Sequence, residues 1–247
     1  MNDKEEIILT EIDPLKDSYH ESFIDHPAHA KLLQTKHTAL LVIDVQYLDA
    51  AEGYGVFADV INSGVPTEAQ EYYFTNLKNI VIPNIQKLQA TFRKYGLEVI
   101  HTRIQSLTKD GRDRSPGHKR LGLHAPPGSK EAEFIPEIAP KGDEIVINKT
   151  ASGVFTSTNL LYILRNMDIS GLFVTGVYTN ECVSTTVRDG CDLGFFVTVI
   201  EDGCTTVTQH LHDSTLDTLR DRYCRVIKTE EAIKEIEQMV ADKIRKN

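Results

Sequence analysis

Three residues of this 247-residue chain have the types and settings for nucleophilic chemistry: Asp44, Lys149 and Cys182. Asp44 directly follows Leu40-Leu41-Val42-Ile43, and Lys149 ends the run Ile145-Val146-Ile147-Asn148-Lys149. Cys182 lies in Val174-Thr175-Gly176-Val177-Tyr178-Thr179-Asn180-Glu181-Cys182-Val183, where an apolar run gives way to a helical pattern. A thiol becomes a strong nucleophile as it loses its proton, so it needs a proton acceptor and benefits from a positive neighbour. Near a helix amino terminus it also meets unpaired N–H groups that can hold an oxyanion. Singly, each residue has a plainer reading. Asp44 suits a turn cap, Lys149 a snorkelling surface residue and Cys182 a small core residue. Together they form an acid, a base and a thiol leaving apolar runs at the same end.

The elements that must position them follow from hydrophobic pattern. Short continuous apolar runs at 38–44, 97–102, 144–147, 172–175, 196–200 and 225–227 read as strands covered on both faces. Helical spacing occupies about 73–95, with Ile80, Ile82, Ile85, Leu88 and Phe92 on one stripe and Gly96 as a stop signal. Further helices are expected at about 159–167, 180–193 and 209–222, with a charged helix closing the chain. Residues 46–71 and 104–142 read as long irregular connections, each a possible lid over a site. Strand alternating with helix predicts an α/β fold with a parallel sheet between two helical layers. One domain, 37–247, preceded by a polar extension over 1–36, accounts for the chain. In such sheets ligands bind beyond the carboxyl ends of the strands, where strand order reverses.

Composition excludes several classes of function. Hydrophobic residues at 40% and charged residues at 26% are globular values, which rules out wholesale disorder. The net charge of −9 disfavours nucleic acid and anionic membrane as partners, leaving a small molecule as the expected one. No apolar run spans a bilayer, and the charged opening MNDKEEIILTEIDPLKDSYH does not read as a signal peptide. A cytoplasmic location with reduced thiols is therefore expected, and Cys191, Cys204 and Cys224 read as core filler. Neither a GxGxxG after the first strand nor a P-loop is present, so no nucleotide cofactor is expected. The pairs His26/His29 and His210/His212, and the loop residues Asp113 and His118, lack the ligand complement of a zinc site, and no metal is expected.

The segments Leu40-Leu41-Val42-Ile43-Asp44-Val45-Gln46, Lys149 followed by Ser152-Gly153-Val154-Phe155, and Val174 through Gly190 resemble the isochorismatase-like cysteine hydrolase superfamily over about Thr38 to Ile227. The resemblance implies a three-layer α/β/α fold with a six-stranded parallel sheet in the order 3-2-1-4-5-6. It implies a catalytic set of Asp44 as proton acceptor, Cys182 as nucleophile and Lys149 as the cation supporting both. It further implies an oxyanion hole from the backbone N–H groups of Tyr178 and Cys182, with a cis peptide at Val177-Tyr178. No cofactor is implied, and family members are commonly dimers or tetramers, for which the 1–36 extension is the natural contact.

Within that superfamily, the isochorismate-cleaving branch typically lacks the cysteine, so Cys182 favours hydrolysis of a carbon–nitrogen bond. Nicotinamidases carry a metal-binding Asp-x-His after the second strand, which Ile100-His101-Thr102-Arg103-Ile104-Gln105 does not match. The stretch from Thr179 to Gly190 is most similar to ureidoacrylate and biuret amidohydrolases, close to the N-carbamoylsarcosine branch. The expected activity is a cysteine amidohydrolase acting on a small ureido, carbamoyl or amide compound through a thioester. The alternatives are vinyl-ether hydrolysis and a non-catalytic binding protein on the same fold. Gln46, Arg103, Phe155, Tyr178 and Asn180 are candidate pocket residues, Arg103 as a bidentate partner for a substrate carboxylate or as a structural ion pair.

Overall fold

The computed structural model describes residues 15–24, 37–59 and 64–246. Six strands form one parallel sheet: β1 Thr38–Ile43, β2 Glu98–Ile104, β3 Ile145–Lys149, β4 Gly171–Val177, β5 Phe196–Thr205 and β6 Arg225–Ile227. Their spatial order is β3-β2-β1-β4-β5-β6, so the direction of winding reverses between β1 and β4. The strand order and the α/β/α layering agree with what the resemblance implied. Every residue of β1 is buried, as expected for a central strand with helices on both faces.

Alternation along β1 separates two cores. Ala39, Leu41 and Ile43 face a layer built by α6 (Val154–Ser157), α7 (Leu160–Asn166), α8 (Ser184–Asp192) and α9 (Gln209–Leu219). Leu40 and Val42 face α3 (Thr67–Asn76), α4 (Ile82–Lys94) and α10 (Thr229–Lys246). The connections also carry short helices: α1 (Lys16–Ile24), α2 (Tyr47–Ala50) and α5 (Pro116–Arg120). α1 falls within the expected extension and meets the domain through His20, whose Nδ1 lies 2.8 Å from Asp221. His26 and His29 lie outside the described residues.

The helix expected over 73–95 begins earlier, at Thr67, just after Pro66, and its first turn carries Glu68. It runs into α4 through a widened π-turn at Leu77–Val81. Pro83 supplies the reason: it lacks an N–H and crowds the preceding turn, and one extra residue relieves the ladder there. The connection 104–142 is also more ordered than its composition suggests. It buries Leu123, Ala125, Ala132, Ile135 and Ile138 against the domain.

A close backbone approach lies at the switch point. Gly176 has φ +118°, and a Cβ there would fall 2.0 Å from the Ile43 carbonyl oxygen. Glycine is therefore required where β4 crosses the end of β1, one residue before Asp44. Replacing it with alanine combines a strained dihedral with a backbone clash. Gly176→Ala is expected to lower stability by roughly 3 kcal/mol, read as a fall in the urea midpoint with unchanged slope.

Candidate active site

β1 delivers Asp44 at its carboxyl end in a left-handed backbone conformation, φ +56°, which aspartate tolerates better than most residues. Its carboxylate is 1% exposed. Oδ1 accepts a hydrogen bond from the Thr102 hydroxyl of β2 at 2.9 Å, and Oδ2 lies 2.8 Å from the Lys149 ammonium. Lys149 itself starts on β3, two strands away from β1 in the sheet. Neighbouring strands are about 4.8 Å apart, so only a long side chain can cross the end of β2 and place its charge at the centre. There its Nζ donates to the Ala151 carbonyl at 2.9 Å and lies 3.2 Å from the Cys182 sulfur. Asp44, Lys149 and Cys182 are thus brought together, with Lys149 between the other two.

Cys182 reaches the cluster through an unusual turn. β4 ends at Val177, the Val177-Tyr178 peptide is cis as the resemblance implied, and Thr179–Val183 forms a π-turn leading into α8. The Val183 N–H donates to the Tyr178 carbonyl, five residues back. This wide turn places Cys182 in the opening turn of the helical segment, in contact with the sheet edge.

Burial and charge act against each other here. Burial alone would depress Lys149, but the Asp44 carboxylate and the thiol overcome it and hold the ammonium above the ordinary lysine range. Burial pushes the Cys182 thiol up, further than Lys149 draws it down, with Asp44 and Asp49 adding to the rise. The resting site therefore holds a thiol rather than a thiolate at neutral pH, beside a carboxylate that is already ion-paired.

Three of the expected pocket residues serve the framework instead. The Gln46 side chain donates to the carbonyls of Ile104 at 2.9 Å and Glu131 at 2.8 Å and accepts from the Ile104 N–H, bracing the ends of β1 and β2 against the 130–134 segment. Arg103 follows Thr102 in β2, so period-two alternation turns it away from Asp44. It donates to Asn148 at 2.7 Å and to the Ala132 carbonyl at 2.9 Å, over the Phe134 ring. Phe155 is buried in the core, stacked on Phe195 at 5.5 Å. Asn180 does lie in the Cys182 turn, its Oδ1 accepting from the Thr206 hydroxyl at 2.6 Å, and the Tyr178 hydroxyl donates to the Asp49 carbonyl at 3.3 Å.

Two further buried groups lie beside the cluster: Asp49, which the sequence did not single out, and His118, which it offered only as a loop residue short of a zinc site. Asp49, in α2, is 2% exposed, and among the described residues its Oδ2 has no hydrogen-bond partner. His118, in α5, is 3% exposed and its Nδ1 also has none. α5 is fastened next to Lys149, because its cap Ser115 donates its N–H to the Thr150 carbonyl at 2.9 Å. Burial lowers His118 to about 4, with Lys149 opposing a second positive charge and Asp44 partly offsetting it, so the imidazole is neutral at pH 7. Asp113, its companion in the loop, binds the N–H groups of Leu107 and Thr108. Among the described residues, no three histidine, cysteine, aspartate or glutamate side chains cluster in a way that could hold a metal ion.

Comparison with known proteins places the chain among hydrolases. The family model of the isochorismatase domain matches residues 38–231. The ureidoacrylate amidohydrolase RutB of Acinetobacter baylyi is 29% identical over 188 residues, 70% of this chain and 72% of that protein. The protein of the same name from Pantoea ananatis is 30% identical over 183 residues, 68% of each. A cysteine hydrolase from Pseudomonas syringae pv. phaseolicola superposes with a TM-score of 0.68 at 22% identity, covering 84% of this chain and 96% of that one. An N-carbamoylsarcosine amidase from Thermoplasma acidophilum superposes at 0.57 with 24% identity, covering 78% and 96% respectively. At these identities the structural likeness is one of fold.

Removing one partner of a buried ion pair leaves an uncompensated charge. Lys149→Met is expected to cost about 3–5 kcal/mol of stability at neutral pH by urea unfolding. Because the Lys149 pKa is raised in the fold, its contribution is complete below the unfolded lysine value of about 10.4 and is lost as pH rises further. The wild-type urea midpoint should accordingly decline above that pH, and the Lys149→Met midpoint should lack that component of the decline.

Proposed function

This chain belongs to the isochorismatase domain family of hydrolases, and from that we propose that it is a cysteine-dependent amidohydrolase cleaving a carbon–nitrogen bond of a small ureido, carbamoyl or amide compound. The observation that carries this reading is the Lys149 ammonium lying 2.8 Å from Asp44 and 3.2 Å from Cys182 in a buried cluster. The amidohydrolase relatives and the retained cysteine support the same reaction class.

The reaction begins from the neutral thiol. As the sulfur attacks the substrate carbonyl carbon, its proton passes to Asp44, so the thiolate never accumulates in the burial that disfavours it. Lys149 keeps its proton throughout. It offsets the negative charge that moves from carboxylate to sulfur to oxygen, and it orients Asp44 together with Thr102. The tetrahedral oxyanion is held by the backbone N–H groups of Tyr178 and Cys182, at the start of a helical segment whose first N–H groups lack intrahelical partners. Collapse breaks the C–N bond, and Asp44 returns the proton to the departing nitrogen. Ammonia or an amine leaves, and a thioester remains on Cys182. Water then gives a proton to Asp44 and its hydroxyl to the acyl carbon. The C–S bond breaks, the acid is released and the sulfur recovers its proton.

Ammonia release across a panel of biuret, ureidoacrylate, N-carbamoyl amino acids, nicotinamide and simple amides, with a chelator present, tests the assignment. Turnover of at least one compound is expected. Cys182→Ala and Asp44→Asn should each reduce it by at least about a thousandfold, as for other nucleophile and base deletions. Turnover that survives in Cys182→Ala would transfer the chemistry to another group and overturn the reading.

A further inference from the structure

Asp49 is a buried carboxyl beside the reacting atoms that the chemistry above does not use. Its backbone is held from two directions: the Asp49 carbonyl accepts from the Tyr73 hydroxyl at 2.7 Å and from the Tyr178 hydroxyl at 3.3 Å. The two rings pack together with centroids 5.1 Å apart. α2 is thereby tied to the turn that carries Cys182, and the Asp49 side chain lies close enough to interact electrostatically with Asp44, Lys149 and Cys182. Yet among the described residues its Oδ2 has no hydrogen-bond partner. Folded proteins leave few buried polar atoms unpaired, because losing water without replacement is costly. An unpaired oxygen beside the Cys182 cluster is available to a ligand that enters there.

The chemistry of that partner follows from the surroundings. Burial raises the Asp49 carboxyl well above its usual range, the negative charges of Asp44 and Glu181 add to the rise, and Lys149 opposes it. Tyr73 and Tyr178 are the other ionisable groups against it, both held neutral by burial. On the remaining side, where the 130–132 turn packs on α2, Lys130 lies over the Tyr47 ring and pairs with Glu133. Burial beside these negative charges therefore favours the protonated carboxyl, which has one O–H donor and one carbonyl acceptor on a single edge. A carboxamide or ureido group offers the matching edge, a carbonyl beside an N–H. A carboxylate offers acceptors alone.

We propose that Asp49 is a substrate-positioning residue whose carboxyl edge pairs with an uncharged carboxamide or ureido edge of the substrate and disfavours compounds that carry a carboxylate in its place. This rests on the amidohydrolase reading above and names the substrate feature that site selects.

Two variants separate the outcomes. Asp49→Asn rebuilds a donor and an acceptor in the same shape, whereas Asp49→Leu keeps the size and removes both. The first readout needs no turnover: the rate of Cys182 alkylation by iodoacetamide relative to iodoacetate, divided by the same ratio for glutathione. Wild type and Asp49→Asn should both favour the amide reagent by about tenfold or more, and Asp49→Leu should lose the preference, as expected for one or two buried hydrogen bonds. An unchanged preference in Asp49→Leu, or an Asp49→Asn that behaves like the leucine variant, would overturn the proposal.

With a turned-over substrate, Asp49→Leu should lose about tenfold or more in kcat/KM, and Asp49→Asn should stay within about threefold. The wild-type kcat/KM should carry a falling limb with rising pH as Asp49 ionises, and the asparagine variant should lack that limb. This second comparison decides the matter if the leucine variant does not fold; a limb retained in Asp49→Asn sinks the proposal. Cys182→Ala tests the amidohydrolase reading separately. A protein silent on the whole panel but selective in alkylation would lose that reading and keep Asp49 as an amide-recognising residue. An active protein with indifferent Asp49 variants would do the reverse.

Discussion

The buried contact between Lys149 and Asp44 is the constraint around which the rest of this site is arranged. Two opposite charges taken out of water are tolerable only when they are close and their remaining valences are used. Lys149 uses its other protons on the Ala151 carbonyl and the Cys182 sulfur, and Asp44 uses its second oxygen on Thr102. Each of these partners comes from a different strand end or the turn after it. Holding the pair together therefore requires β1, β2, β3 and the π-turn after β4 to keep their register at one edge. The glycine at 176 and the glutamine at 46 serve that requirement, one by letting backbones touch and the other by tying β1 to β2.

In the proposed mechanism, the same contact lets a cysteine that looks unreactive serve as the nucleophile. A thiolate stabilised in advance would be a weaker attacking group and would need a cation left unpaired to hold it. Here the cation already has a carboxylate, and the thiol keeps its proton until a substrate carbonyl offers the charge somewhere to go. Asp49 and His118 extend this economy of charge. Both are buried next to the cluster, and burial disfavours the charged form of each, so neither adds readily to the charges of Asp44 and Lys149.

Much of this was legible in the chain, for identifiable reasons. Asp44, Lys149 and Cys182 stood out jointly, because each has a plainer reading alone but all three leave apolar runs at the same end. The alternation of such runs with helical spacing showed the α/β class, and the family resemblance supplied the strand order. Side-chain partners were not legible. The bonds of Gln46 reach Ile104 and Glu131, 58 and 85 residues away, and no local pattern records them. Arg103 was a candidate by charge, whereas the pleat of β2 turns it from the site. Asp49 was hidden in a segment read as irregular, although its setting between Leu48 and Ala50 was a signal of a buried acid. His118 was hidden by its neighbours Lys119 and Arg120, which made the loop look solvated. The π-turns at 77–81 and 179–183 leave no periodic mark at all.

The sheet order also separates being folded from being competent. Among the described residues, β3 is an edge strand of five residues, paired in the sheet with β2 alone, with Val146 and Asn148 open to solvent. The charge at the centre of the site is thus delivered by a strand at the periphery. Edge elements open locally at a fraction of the free energy of global unfolding. When β3 frays, five strands and most of both cores persist, while the cation between Asp44 and Cys182 is withdrawn. In the proposed mechanism, heat, urea or a distant mutation therefore silences this molecule by partial opening first, and its inactivation curve runs ahead of its melting curve.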